Sequence, residues 1–441
     1  MADSKFHKQF VNWFRHSSPY INAFRGRTFV VTFGGEAIID DNFAGLIHDL
    51  ALLSTLGVRL VVVHGARPQI EKCLRVQDTE FHYANGLRIT NDKSLQCVKQ
   101  ASSAVRLEIE ALLSMGLANS PMAGARIRLA SGNMVVAQPL GVRHGVDYGH
   151  TGEVRRIDAE AITWSLDNGA IVLLSPLGYS PTGEVFNLSA LEVATAAAVA
   201  LKADKLICLV EETGLHDGRK RLMAQLDLPE AQSLLAGKHR LSEELTRTLT
   251  SGVAACRGGV RRTHLISRQV DGALLLELFT RDGIGTLIAG DIYEGIRQAA
   301  IDDVGGILEL ITPLENEGVL MRRSRELLET EIANFYVVER DGTIIGCAAI
   351  YPFPEEKAGE LACLAVHPDY RRCGYGERLL AMIEKQARLH RIARLFLLTT
   401  HTAHWFQERG FHGTKPESLP VKRRALYNYQ RNSKIFVKDL K

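Results

Sequence analysis

The string Val366-His367-Pro368-Asp369-Tyr370-Arg371-Arg372-Cys373-Gly374-Tyr375-Gly376-Glu377 constrains this chain more tightly than any other part of it. It follows an apolar run, residues 361–366, and precedes the helical spacing Leu379, Leu380, Met382, Ile383. The pattern predicts a strand, a loop and a helix. Arg371-x-x-Gly374-x-Gly376 at that junction gathers backbone N–H groups at a helix N-terminus, where a pyrophosphate can be held. The glycines let the backbone come close, and Arg371 or Arg372 adds a charge-assisted bond. A lone Gly-x-Gly would mark no more than a turn. The His-Pro lead-in and the paired arginines make the full string far more specific.

This string resembles the cofactor loop of the GNAT acetyltransferases, and the rest of the last third agrees. Residues 296–300 predict a strand, Asp302-Asp303 a helix start, and Ile307, Leu308, Leu310 and Ile311 its apolar pattern. Residues 335–339 and 343–351 read as strands joined by the hairpin signal Arg340-Asp341-Gly342. Residues 395–398 predict a further strand, and Trp405-Phe406-Gln407-Glu408-Arg409-Gly410-Phe411 closes the family pattern. The resemblance covers residues 296–441. It implies acetyl-CoA as co-substrate, with Arg371, Arg372, Gly374, Tyr375 and Gly376 at the pyrophosphate and Cys363, Leu364 and Val366 along the pantetheine arm.

With 441 residues, 46% of them hydrophobic, the chain can build two or three domains with sizeable cores. A net charge of +3 without a long Lys/Arg run argues against a nucleic-acid partner. The short cluster Lys422-Arg423-Arg424 reads as a solvated turn. Seven cysteines stand singly, at 73, 97, 208, 256, 347, 363 and 373. That pattern argues against a disulfide framework or a metal site and for a reducing compartment. No apolar run approaches a membrane span, and the first residues lack a signal pattern, so a cytoplasmic protein without a membrane partner is expected.

Residues 1–290 alternate strand and helix signals. Short apolar runs at 28–33, 59–63, 171–174 and 205–210 alternate with helical stretches such as 190–201. An α/β unit follows, with a mostly parallel sheet and helices on both faces. Its glycine turns, Gly34-Gly35 and His64-Gly65, fall at the carboxyl ends of strands, where ligands of such sheets bind. These turns, with Asn85-Gly86-Leu87-Arg88, resemble the amino-acid kinase fold, most closely the acetylglutamate kinases. Three departures argue against phosphoryl transfer, which depends on cations around the moving group. Thr32 or Phe33 stands where that family has its catalytic lysine. Asn187-Leu188-Ser189-Ala190-Leu191 lacks the family's aspartate. No lysine occurs between Lys238 and Lys357.

The arginine-inhibited branch of that family is similar in further segments: an amphipathic N-terminal helix over residues 10–24 with Pro19-Tyr20-Ile21 near its end, then His264, residues 271–279 and Gly283-Ile284-Gly285. The resemblance implies an arginine site of Tyr20, Lys205, His264, Glu277 and Gly283, and a helix that joins dimers into a hexamer. Taken alone, Glu277 could be a helix-surface carboxylate and His264 a packed strand residue.

Together the parts are expected as a helix at 1–25, a kinase-like arginine-sensing domain at 26–290 and a GNAT domain at 296–441. A degenerate kinase-like domain before a GNAT domain resembles the bacterial amino-acid N-acetyltransferases, which acetylate the α-amino group of L-glutamate in the first step of arginine synthesis. Glu360, read as lying just before the strand, is then the expected general base. A backbone N–H near Leu364 is placed for the oxyanion. Phe406 stands where many GNAT enzymes carry a tyrosine acid, so Thr399 is taken as proton donor to the thiolate, ahead of Thr400 and His404. Arg323 and Arg431, helped by Ser433, are the expected carboxylate clamps. Two alternatives stay open: acetylation of another amine, and an arginine sensor with a CoA-binding module.

Overall fold

Apolar runs that alternate with helical patterns form a parallel sheet only if both faces are covered, and the first unit shows why that holds here. The computed structural model describes residues 2–115, 127–237, 241–289, 294–340, 343–371, 374–400, 403–427 and 433–440. Contacts divide the chain into two units, Met1–Asp291 and Ile292–Lys441.

In the first unit an eight-stranded sheet runs Gln225–Asp227, Thr286–Ala289, Arg262–Ser267, Lys205–Val210, Thr28–Phe33, Arg59–His64, Ala170–Leu174, Arg128–Ala130. Every neighbouring pair is parallel except Arg262–Ser267 with Thr286–Ala289. Thr28–Phe33 and Lys205–Val210 at the centre are buried throughout. Phe29, Val31 and Phe33 join one core with the helices Phe43–Thr55 and Asp92–Ser114; Val30 joins the other, with Ala190–Ala200. That two-sided burial is the mechanical reason the strands read as continuous apolar runs. A second sheet of four short strands, Val185–Asn187, Leu177–Tyr179, Val135–Pro139 and Gly152–Ile157, was not foreseen.

The N-terminal helix spans Ala2–Phe24, with Pro19 inside it. It ends at Phe24 as expected and begins earlier than the expected Phe10. Proline removes one intrahelical bond, but Tyr20, Ile21 and Phe24 pack on the core and Ser17 Oγ donates to the Phe279 carbonyl at 2.9 Å, which holds the last turn in place.

The second unit is a seven-stranded sheet, in the order Glu294–Gln298, Phe335–Arg340, Thr343–Phe353, Ala358–Val366, Arg394–Thr399, Lys434–Asp439, His412–Thr414. The helix Tyr375–Leu389 packs on one face and Val304–Asn316 on the other. One neighbouring pair is parallel: Ala358–Val366 with Arg394–Thr399. It is bonded at residues 358–360 against 394–396, and there the pairing stops. The two strands then part, leaving an unpaired backbone edge along residues 361–366. Asp341 and Gly342 of the hairpin turn and the expected linker residues 290–293 lie outside the described residues.

Candidate active site

The parting strands and the loop after them define one end of the site. Gly374 caps the helix Tyr375–Leu389 with φ 83°, a conformation that L side chains rarely adopt. The first-turn N–H groups of that helix have no intrahelical acceptor, so they point at whatever lies beyond the cap. Arg371 is exposed, and its Nε donates to the Val366 carbonyl at 3.5 Å. Arg372 and Cys373 lie outside the described residues. The Tyr375 ring is 6% exposed and packs edge-on to Tyr370, so its backbone is what faces the loop. Gly376 sits against Trp405: a Cβ there would come within 3.1 Å of the ring. Leu364 and Val366 turn their side chains to the core around the helix and leave their backbone edge open.

A bulge distorts that edge. The pairing of Thr343–Phe353 with Ala358–Val366 runs Cys347↔Ala365 and then Ala349↔Ala362, which places one extra residue in the second strand. Cys363 in the bulge has φ 54°. Such a kink takes backbone N–H groups out of the ladder and can aim one at a ligand oxygen. The fully buried Cys347 thiol donates to the Cys363 carbonyl at 3.4 Å. The Cys347 side chain and the nearby Arg323 charge hold the Cys363 thiol below its ordinary range, while the Cys363 side chain and burial push Cys347 up.

Beside the bulge lies a cavity of about 90 Å³, whose lining includes Arg323, Glu360, Cys363, Arg423, Tyr427 and Ser433. Four residues singled out in the sequence thus meet at one place. Glu360 is not before the strand but is its third residue, opposite Tyr351 and Phe396. Both its oxygens are engaged: Arg423 Nε donates to Oε2 at 2.6 Å and Nη2 to Oε1 at 3.0 Å. The reading of Lys422-Arg423-Arg424 as a solvated turn is therefore corrected at Arg423, whose side chain is 16% exposed. Arg423 is the functional candidate that sequence reasoning missed. No signal in the sequence separates it from its basic neighbours Lys422 and Arg424. Arg323 approaches from the loop after Val304–Asn316. Its backbone N–H donates to Glu315 Oε1 at 3.0 Å and its Nη1 to the Met321 carbonyl at 3.2 Å. Burial works against its charge, but Cys363, Tyr351 and Glu331 around it more than offset this and raise its pKa. Ser433 is buried, and its carbonyl accepts from Tyr427 Oη at 2.8 Å. Arg431 lies outside the described residues. Thr399 ends its strand, paired with Lys434; its neighbour Leu398 lines the cavity.

The first unit carries two further features. Lys205 and His264 lie on adjacent central strands, two register positions apart, and both are buried. His264 Nε2 lies 3.1 Å from Lys205 Nζ, and Nδ1 lies 2.6 Å from Glu277 Oε1. Burial, then the Lys205 charge, lower the His264 pKa to about 4. The imidazole is therefore neutral near pH 7. An ammonium can only donate, so Nε2 accepts and Nδ1–H donates to Glu277. Burial opposes the Glu277 charge, but His264 and the backbone N–H groups of Ile284 and Gly285, at 2.7 and 2.9 Å, outweigh it and take the pKa to about 2. Gly283 is so close that a Cβ would lie 2.5 Å from Glu277 Oε2. Tyr20 is ring-to-ring with Phe24, which lies under Lys205 Nζ at 5.1 Å. The five expected arginine-site residues thus form one neighbourhood.

The second feature is a cleft of about 450 Å³ at the carboxyl ends of the central strands, lined by Thr32, Gly34, Gly35, Gly65, Arg88, Asn187 and Leu191 among others. Arg88 is buried beside Glu71 at 3.4 Å and over the Tyr83 ring. Among the described residues that line this cleft there is no lysine.

The amino acid kinase family model matches residues 27–267, and the acetyltransferase (GNAT) family model matches residues 306–411. The amino-acid acetyltransferase of Pseudomonas fluorescens (strain Pf0-1) is 55% identical over 433 residues, covering 98% of this chain and 100% of that one. The N-acetylglutamate synthase of Neisseria gonorrhoeae complexed with coenzyme A and L-arginine is 42% identical, with TM-score 0.88 and coverage of 98% of this chain and 99% of that one. Its complex with coenzyme A and N-acetyl-glutamate has the same identity and coverage, with TM-score 0.62. The two family matches fall one in each unit, and the curated match spans both: the chain belongs to the amino-acid acetyltransferases, with an amino-acid-kinase unit followed by a GNAT unit.

Proposed function

We propose that this enzyme transfers acetyl from acetyl-CoA to the α-amino group of L-glutamate and that L-arginine inhibits it. The observation that carries the acceptor is the charge of the small cavity. Arg323 and Arg423 supply two guanidiniums and Glu360 one carboxylate, the complement of a substrate with two carboxylates and one ammonium. Acetyl-CoA lies along the unpaired edge of residues 361–366, with its pyrophosphate at Arg371, Arg372, Gly374 and the first-turn N–H groups of Tyr375 and Gly376. The coenzyme A in both Neisseria complexes supports this part.

In the reaction Glu360 takes a proton from the ammonium, and the freed amine attacks the thioester carbonyl. The N–H near Leu364 at the bulge meets the oxyanion. The carbon–sulfur bond then breaks, and the second proton of the attacking nitrogen reaches the thiolate through the Thr399 hydroxyl, which gives its own proton and takes that one. Arg323, Arg431 and Ser433 hold the substrate carboxylates so that the amine is in attack geometry.

Arginine binds at Tyr20, Lys205, His264, Glu277 and Gly283, where Glu277 offers an anion to its guanidinium and Lys205 a cation to its carboxylate. The arginine in the Neisseria complex supports this reading. The chain works as a homo-oligomer, a hexamer joined through the N-terminal helix, which exposes Phe10, Trp13 and Phe14. A cytoplasmic location accords with its free cysteines. The test is thiol release from acetyl-CoA by purified protein. L-glutamate should be required, and added arginine should slow it. Release with another amine but not with glutamate would overturn the acceptor assignment.

A further inference from the structure

The base proposed for the reaction is not available in this structure. Arg423 holds both Glu360 oxygens in a two-pronged ion pair, with the partners 16% and 12% exposed. A carboxylate gripped in this way has its best acceptor positions occupied. We propose that Arg423 is a substrate-operated latch. It keeps Glu360 closed while the acceptor site is empty, and an acceptor carboxylate draws Arg423 away and so releases the base once the amine is in place. The proposal rests on the reading of Glu360 as the general base.

Three features of the structure support the latch. Arg423 sits on a five-residue helix, Val421–Ala425, none of it buried, tied at its start by the Val421 N–H to Glu356 Oε1 at 3.2 Å. Its backbone is therefore lightly held while its side chain reaches inward. Arg323 lines the same cavity and stays behind as a second cation when Arg423 changes partner. Finally, the exchange conserves ion pairs. Arg423 leaves Glu360 for a substrate carboxylate, and Glu360 receives the substrate ammonium, so no buried charge is left without a partner, the condition that makes broken pairs costly.

Water cannot make that exchange, because it brings no carboxylate for Arg423. The latch therefore protects bound acetyl-CoA from hydrolysis. In hydrolysis the oxygen of water bonds to the acetyl carbon, Glu360 takes its proton, the carbon–sulfur bond breaks, and acetate and the CoA thiol leave.

The experiment measures CoA release from acetyl-CoA without glutamate. Glutarate has both carboxylates and no amine, so it should open the latch without being acetylated. It should raise acetate formation by the parent roughly tenfold, a modest part of what a freed base can supply. Butyrate, with one carboxylate, should not match it. Arg423→Met should hydrolyse acetyl-CoA at the raised rate without glutarate, and Glu360→Gln added to it should remove the gain. Arg423→Lys, which keeps the charge but not the two-pronged grip, should fall between them. No response to glutarate in the parent and no gain in Arg423→Met would overturn the latch, as would a gain that survives Glu360→Gln. Glu360→Gln alone separates the two readings. If it acetylates glutamate at the parent rate, the base assignment fails. If it is slow while glutarate and Arg423→Met have no effect on hydrolysis, the latch alone fails.

Discussion

Replacing Glu360 by Gln keeps the side chain's shape and removes its capacity to take a proton. The rate should fall roughly 10²-fold or more with KM for acetyl-CoA little changed; steady-state kinetics with either substrate varied reads both. Position along the strand made Glu360, Cys363, Arg323 and Ser433 legible before the structure, because a family pattern fixes which residues border the parting strands. Arg423 was not legible. Three consecutive basic residues look alike in sequence, and only the fold turns one of them inward. Another residue-scale consequence concerns pH. His264 has a native pKa of about 4 against 6.5. Between those values the unfolded chain holds a proton that the native state refuses, so stability rises with pH and is lost on acidification. Glu277, at about 2 against 4.5, adds stability above pH 4.5 that disappears as pH falls towards 2. Both act in one direction. Thermal melts of the intact protein should show a decline from pH 6.5 to 5, at up to about 1.4 kcal/mol per unit. His264→Gln should flatten that decline. An equal slope in the variant would remove His264 from the account.

The helix Tyr375–Leu389 depends on one backbone conformation at its start. Gly374 has φ 83° with open space where a Cβ would go, so an alanine there meets strain rather than a clash. That strain is about 1–2 kcal/mol. It can be relieved by turning the loop away from the helix axis, which spoils the N–H array. Gly374→Ala should therefore raise KM for acetyl-CoA several-fold and leave KM for glutamate nearly unchanged. Equal rises in both would point to general damage instead. Elements of this kind were readable because a strand, a glycine cap and an apolar helix face each leave a local signature. The central strands at 28–33 and 205–210 were readable for a related reason, their burial on both sides. The bulge at Cys363 left no mark, since residues 361–366 are apolar without interruption and an extra residue in such a run changes no pattern. The four-stranded second sheet was hidden by strands of three to six residues.

Taken whole, the chain joins a kinase fold without kinase cations to an acetyltransferase. The cleft of the first unit keeps about 450 Å³ and its glycine turns, yet the described residues lining it include no lysine. Incubation with ATP and N-acetylglutamate should give no ADP above background, because the family's lysines are missing from that lining and its arginines, Arg67, Arg88, Arg247 and Arg268, are each ion-paired to a carboxylate. Steady ADP formation would refute that reading. If the unit does not phosphorylate, its retained architecture is explained by sensing, and the buried Lys205–His264–Glu277 row is where sensing is proposed. Arginine can lower the rate only if it binds a less active arrangement more tightly than an active one, and a coupling of about 1–3 kcal/mol is typical. Glu277 is the single carboxylate of that row, and His264 Nδ1–H and the N–H groups of Ile284 and Gly285 already orient it. Removing it takes away the guanidinium's anion. Glu277→Ala should need a higher arginine concentration for half-inhibition while its rate without arginine persists. Glu277→Gln keeps an acceptor for those N–H groups and should show the same loss with less disturbance of the unit. Should both variants be inhibited at the parent's arginine concentration, the guanidinium is not held by Glu277 and the arginine site lies elsewhere.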